Sequence, residues 1–150
     1  MKTVLFGSSR PEGFANQLVY GIFRCFMGLA MAFYHGRDKI TMLKAGIDED
    51  LTMAEKGFYG YIEQLNLPAR MLVAWMVALV EFGGGILIAI GLLTRLAAFS
   101  LLTVIMVAFV GVHGANPADA ELALIYVFAS ALFVVFGSGR FGVDGAIYRR

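Results

Sequence analysis

The stretch MLVAWMVALVEFGGGILIAIGLLTR, Met71 to Arg95, is apolar but for Glu81, Thr94 and the closing arginine. A helix needs about 20 such residues to cross a ~30 Å hydrocarbon core. Glu81 lies near the middle of this run. A lone charge at that depth costs at least ~2.5 kcal/mol even on the lenient insertion scale, so the acid must have a partner. The glycines Gly83-Gly84-Gly85 come just after it. Small residues let two membrane helices approach closely, so Gly84 and Gly85 read as packing surface rather than a phosphate-binding loop.

The rest of the chain agrees with lipid as its solvent. Of 150 residues, 59% are hydrophobic and 15% charged, against about 25% charged in a soluble domain. The mean hydropathy is +0.76. A net charge of +1 with no basic patch excludes nucleic acid as a partner. The single cysteine, Cys25, can form no intramolecular disulfide and belongs to no C-x-x-C motif. It reads as a small buried hydrophobe, so any redox role would need a bound cofactor or a quinone. Ala30-Met31-Ala32 resembles a signal-peptidase site, but Arg24 interrupts the apolar run before it, so the segment is read as retained.

Four apolar runs, at about 14–35, 71–93, 96–113 and 121–137, predict four spans in a single domain covering 1–150. The second and third are separated by so few residues around Leu93-Thr94-Arg95 that they must form an antiparallel hairpin. Between the first two spans, Leu51, Ala54, Phe58, Ile62 and Leu65 recur at helical spacing, and Thr52-x-x-Glu55 matches a capping box. Pro68 ends that pattern. The fold class is therefore all-α: an integral membrane four-helix bundle with a short amphipathic helix between the first two spans, on the membrane surface or tucked against the bundle. Four spans put both termini and the Arg95 hairpin on one side, with Lys2, Arg10, Arg95, Arg140, Arg149 and Arg150. The other side holds Arg37, Lys39, Lys44, Lys56 and Arg70. The positive-inside rule then assigns both termini to the cytoplasm.

The polar residues inside the spans carry the functional expectations. Arg24 lies eleven residues before His35, and Glu81 eleven after Arg70. If those span ends are level, both charges sit about 16 Å deep and should pair as Arg24–Glu81. The pair would be either a structural clasp or a functional site. Gly28 lies on the Arg24 face of the first span, where close packing against the second is expected. His35 and His113 end two spans on the same side, Glu121 begins the fourth there, and Lys39 follows His35 by one turn. Such a group at one mouth of the bundle can hydrogen-bond a quinone carbonyl and relay protons. Taken singly, each is also an ordinary interfacial side chain. Two histidines are a poor basis for haem, and no metal site is assigned.

The order and spacing of these parts resemble the DoxX family over nearly the whole chain. They are Arg24-x-x-x-Gly28 leading to His35-Gly36-x-x-Lys39, then Glu81-x-x-Gly84-Gly85 leading to Gly91-Leu92-x-Thr94-Arg95-x-Ala97-Ala98. His113, Glu121, Gly137-x-Gly139-Arg140 and Asp144 complete the set. The resemblance implies a four-helix protein of the bacterial cytoplasmic (inner) membrane, with relatives among subunits of quinol- and quinone-linked oxidoreductases. No catalytic residue is assigned. The expected role is an accessory or quinone-interacting subunit of a membrane redox complex, with other subunits of that complex and the bilayer as partners. The alternative is a purely structural membrane subunit. A small-solute transporter is less favoured, because four spans without an internal repeat are few for alternating access.

Overall fold

The computed structural model describes residues 13–48, 50–52 and 55–147. The first twelve residues, Ala54 and the Arg149-Arg150 pair lie outside them. The elements are α1 (Phe14–Ala45), α2 (Phe58–Gln64), α3 (Arg70–Ile90), α4 (Thr94–Gly111), α5 (Glu121–Phe136) and α6 (Val143–Ile147), with no strand among the described residues. α1, α3 and α4 are long and apolar enough to cross a membrane, and α5 is a shorter apolar helix of 16 residues.

The four long helices form the bundle. Its interior is lined by Ala97, Ala98, Leu101 and Ile105 of α4 against Ala129 and Phe133 of α5, with Met27, Met31 and Ile88 closing the centre. The outward faces are just as apolar. Ile22, Phe26, Met76, Leu79, Phe99 and Phe128 are each more than half exposed. In water that surface would drive aggregation; facing lipid it is the surface expected of membrane helices.

α1 runs ten residues past His35, the end expected from hydropathy. Arg37–Ala45 is polar but contains neither Gly nor Pro, so nothing in it stops a helix. Gly46, at φ +92°, ends it. At ~1.5 Å per residue a helix of this length exceeds the hydrocarbon thickness, so its polar last turns stand clear of the core.

α2 is anchored to the bundle rather than adrift on its surface. Tyr59 and Ile62 pack against Ala74 and Ala78 of α3 and Leu43 of α1. The capping box is bonded as its sequence implies: Thr52 N donates to Glu55 Oε2 (2.9 Å), and Glu55 N donates to Thr52 Oγ1 (3.4 Å). It closes an isolated turn, because Gly57 at φ +54° separates it from the helix, which starts at Phe58.

α1 and α3 approach backbone to backbone. A methyl group on Gly28 would lie 2.6 Å from the Gly85 carbonyl oxygen, and one on Gly85 would lie 2.7 Å from that of Gly28. Gly36 is tighter still, with Phe82 N 2.3 Å from where its Cβ would be. Gly84 is different. Its nearest neighbour would be 3.8 Å away, so the expected packing role passes from Gly84 to Gly36. Each helix carries a π turn where they meet, Met31–Gly36 in α1 and Val80–Gly84 in α3. Such turns insert one residue into the helix and re-aim the side chains around it.

Candidate functional site

The π turns position the site. Gly36 seats α1 against Glu81 and Phe82, which brings Lys39, one turn further along α1, over the Glu81 carboxylate. Lys39 Nζ donates to both Glu81 oxygens. Glu81 is only 5% exposed. The Lys39 ammonium also lies 5.1 Å from the centre of the Phe58 ring on α2, a cation–π distance.

This pair faces a cavity of about 280 Å³, whose wall includes His35, His113, Tyr126, Asp119 and Met31. The His35 ring meets the Tyr126 ring edge-on at 5.5 Å. The rest of the lining is mostly alkyl, from Ile105, Ala108, Leu122 and Ala123. A half-buried ion pair, two imidazoles and a phenol thus converge on one largely apolar cavity. Together they can hydrogen-bond a carbonyl or hydroxyl and hold or pass a proton.

The expected Arg24–Glu81 pair does not form. Arg24, 2% exposed, donates from Nε to Ser138 O (3.1 Å) and from Nη1 to Ala89 O (2.7 Å) and Ile88 O. The depth count failed because it took His35 and Arg70 as level. α1 continues past His35, and Gly36, not a residue before it, meets Glu81. His35 is therefore level with Glu81, and Arg24 falls beside Ile88 and Gly91, seven or more residues along α3. Seven residues are about 10 Å of helix.

Arg24 serves the other end of the bundle. The last carbonyls of an α-helix have no partner within it and attract cations. Arg24 supplies both needs at the end of α3. Across the hairpin, α4 begins at Leu93, in the left-handed region at φ +48°, without a cap of its own. Asp144 provides one, accepting from Leu93 N (2.9 Å), Thr94 N (3.0 Å) and Thr94 Oγ1 (3.0 Å), while its own amide donates to Gly91 O (2.8 Å). The segment that carries Asp144 is tied to α1: Tyr20 OH donates to Gly137 O (2.6 Å) and Arg140 N to Gln17 Oε1 (2.9 Å).

Of the residues expected at one mouth, His35, Lys39 and His113 line a single cavity, together with Glu81. Glu121 does not. It is exposed, in the first turn of α5, where a carboxylate complements the helix dipole. Tyr126 and Asp119 were missed. Tyr126 had a readable signal, a hydroxyl-bearing ring inside an apolar span, whereas Asp119 looked like an ordinary turn residue.

A helical bundle with apolar faces turned outward and charged groups paired within is an integral, multi-pass membrane protein. The chain belongs to the DoxX family: the DoxX family profile matches residues 20–114. That range holds Arg24, His35, Lys39, Glu81 and His113, and ends before α5. No curated protein and no solved structure matches the chain.

Proposed function

We propose that this protein is a quinone-interacting accessory subunit of a membrane redox complex, in the bacterial cytoplasmic membrane with both termini cytoplasmic. One observation carries the reading: buried Glu81, paired with half-buried Lys39, opens onto a largely apolar cavity that His35, His113 and Tyr126 also line. A volume of about 280 Å³ is at the small end of ligand pockets. It suits a substituted quinone ring better than a whole prenylated molecule.

The ring's oxygens would accept hydrogen bonds from Lys39, the histidines or Tyr126. When bound, the quinone supplies two-electron chemistry. The chain's part is to orient the ring, exclude water and offer protons, with Glu81 holding Lys39 in place and the imidazoles linking the pair to the cavity mouth. Cys25 is the single free thiol, so electrons would come from a partner subunit. The basic residues flanking the spans support the orientation, by one residue in favour of the terminal side.

The test is titration of the purified protein, in lipid nanodiscs, with a short-chain ubiquinone or menaquinone analogue. Glu81→Gln should weaken binding by about tenfold or more, the loss of one charge-assisted contact. Its thermal midpoint should shift by only a few degrees. No binding by the wild type, with Glu81→Gln affecting only stability, would leave the purely structural subunit as the reading.

A further inference from the structure

The cavity beside Lys39 and Glu81 adjoins a series of spaces that reaches the lipid. A second cavity, of about 230 Å³, shares Lys39, Glu81, Ala108 and His113 with the first. Its outer wall is Phe58, Tyr61, Ile62 and Leu65 of α2. A third, of about 250 Å³, shares Ile62, Leu65, Val77, Val104 and Val107 with the second. Thr103 is the one residue with a polar side chain in its wall. It adjoins an open groove on the outer face of α4, with which it shares Thr103 and Val107. The walls therefore become less polar from the Lys39–Glu81 pair through the second space to the third, beneath the short helix α2.

We infer that this path holds the isoprenoid tail of the quinone, so the ligand is a tail-bearing quinone that enters from the bilayer between α3 and α4, under α2. The inference rests on the proposed quinone reading and adds the route and the chain. Two features argue for a tail bonded to a head rather than a loose acyl chain. The path ends on hydrogen-bonding groups instead of closing blind, and a ring seated on them has its substituent pointing down the only series of spaces that leads from it to lipid among those described. Both the tail and the groove are already out of water, so packing against the groove wall, rather than the hydrophobic effect, would favour the chain.

Val107 lines all three outer spaces and is 49% exposed, so a larger side chain there fills the path rather than the packed core. The experiment compares quinone analogues with one ring and zero, two or more prenyl units, in nanodiscs at fixed mole fraction of lipid. Wild type, Val107→Trp and the milder Val104→Phe are compared, with Leu96→Trp as an equally bulky control on α4 outside the path. In the wild type, affinity should rise roughly five- to tenfold from the tail-less to the prenylated analogues. Val107→Trp should abolish that rise while leaving the tail-less analogue within about twofold, and Leu96→Trp should change neither.

Equal binding of tail-less and prenylated analogues by the wild type would overturn the tail path and leave the quinone reading intact. So would a chain-length dependence that survives both path variants, or a phospholipid still held when the prenylated analogue binds, seen by native mass spectrometry. Failure of every analogue to bind, tail-less included, would remove the quinone reading and this inference with it.

Discussion

The two ends of the bundle treat charge in opposite ways. At the hairpin end, Arg24 and Asp144 bond mainly to backbone: Arg24 to the last carbonyls of α3 and to Ser138, Asp144 to the amides of Leu93 and Thr94, with the Thr94 hydroxyl beside them. At the opposite end, Glu81 is bonded to another side chain, Lys39, and the pair faces open space. A charge whose partners are fixed carbonyls or amides can neither move nor exchange a partner, and it stabilises the fold. A charge held by a second ionisable group beside a cavity has an alternative partner within reach whenever a ligand arrives. An intramembrane charge is thus read as structural or functional from its partners more than from its depth.

The largest test of that contrast is Arg24→Met. It takes a buried donor from the carbonyls of Ala89 and Ser138 and leaves Ile88 O with the Gly91 amide alone, a loss of about 3 kcal/mol. Thermal unfolding in mild detergent should show a much larger drop than Glu81→Gln gives. Equal drops would erase the distinction between the two ends.

Gly36 sharpens the comparison at the open end. An added methyl group there meets the Phe82 backbone, which cannot turn aside, so Gly36→Ala should cost about 2–3 kcal/mol and pull Lys39 away from Glu81. Gly84→Ala, with its nearest neighbour 3.8 Å away, should stay within about 0.5 kcal/mol of the wild type. The same unfolding assay separates them, and similar losses would mean that the π turns yield under load.

The smallest effect belongs to the capping turn before α2. Hydrogen bonds from the Thr52 side chain and amide hold the Glu55 carboxyl below its ordinary value. A depressed folded value stabilises the turn above the unfolded carboxylate range, and the contribution disappears as pH falls through the folded value. The protection factor of the Thr52 amide, its exchange rate corrected for the intrinsic pH dependence, should accordingly fall with acidification in the wild type and stay flat in Glu55→Gln.

Much of the fold was legible because hydropathy and turn chemistry act locally. The hairpin between α3 and α4, the four apolar runs and the bonded pair Thr52–Glu55 all follow from neighbours in sequence. The site was legible in part. Glu81 is a charge where lipid forbids an unpaired one, and His35, Lys39 and His113 fall at or just past span ends on one side of the bundle. Their pairing was not legible, since it depends on how far α1 slides along α3. Hydropathy placed the end of α1 at His35, where polarity begins, but a helix ends only where backbone geometry changes, at Gly46.

By itself the sequence determined that lipid is the solvent, that helices must span it, and that each buried charge needs a partner. Those are properties of residue type and local period. Only the tertiary structure decided which partner. Register between α1 and α3 is set by backbone contact at Gly28, Gly85 and Gly36, which no count along either helix contains. That contact placed Lys39, and not Arg24, on Glu81. The chain's return after α5 likewise brought Asp144 to a helix start about fifty residues away, a cap whose donor and acceptor meet only once the bundle has closed.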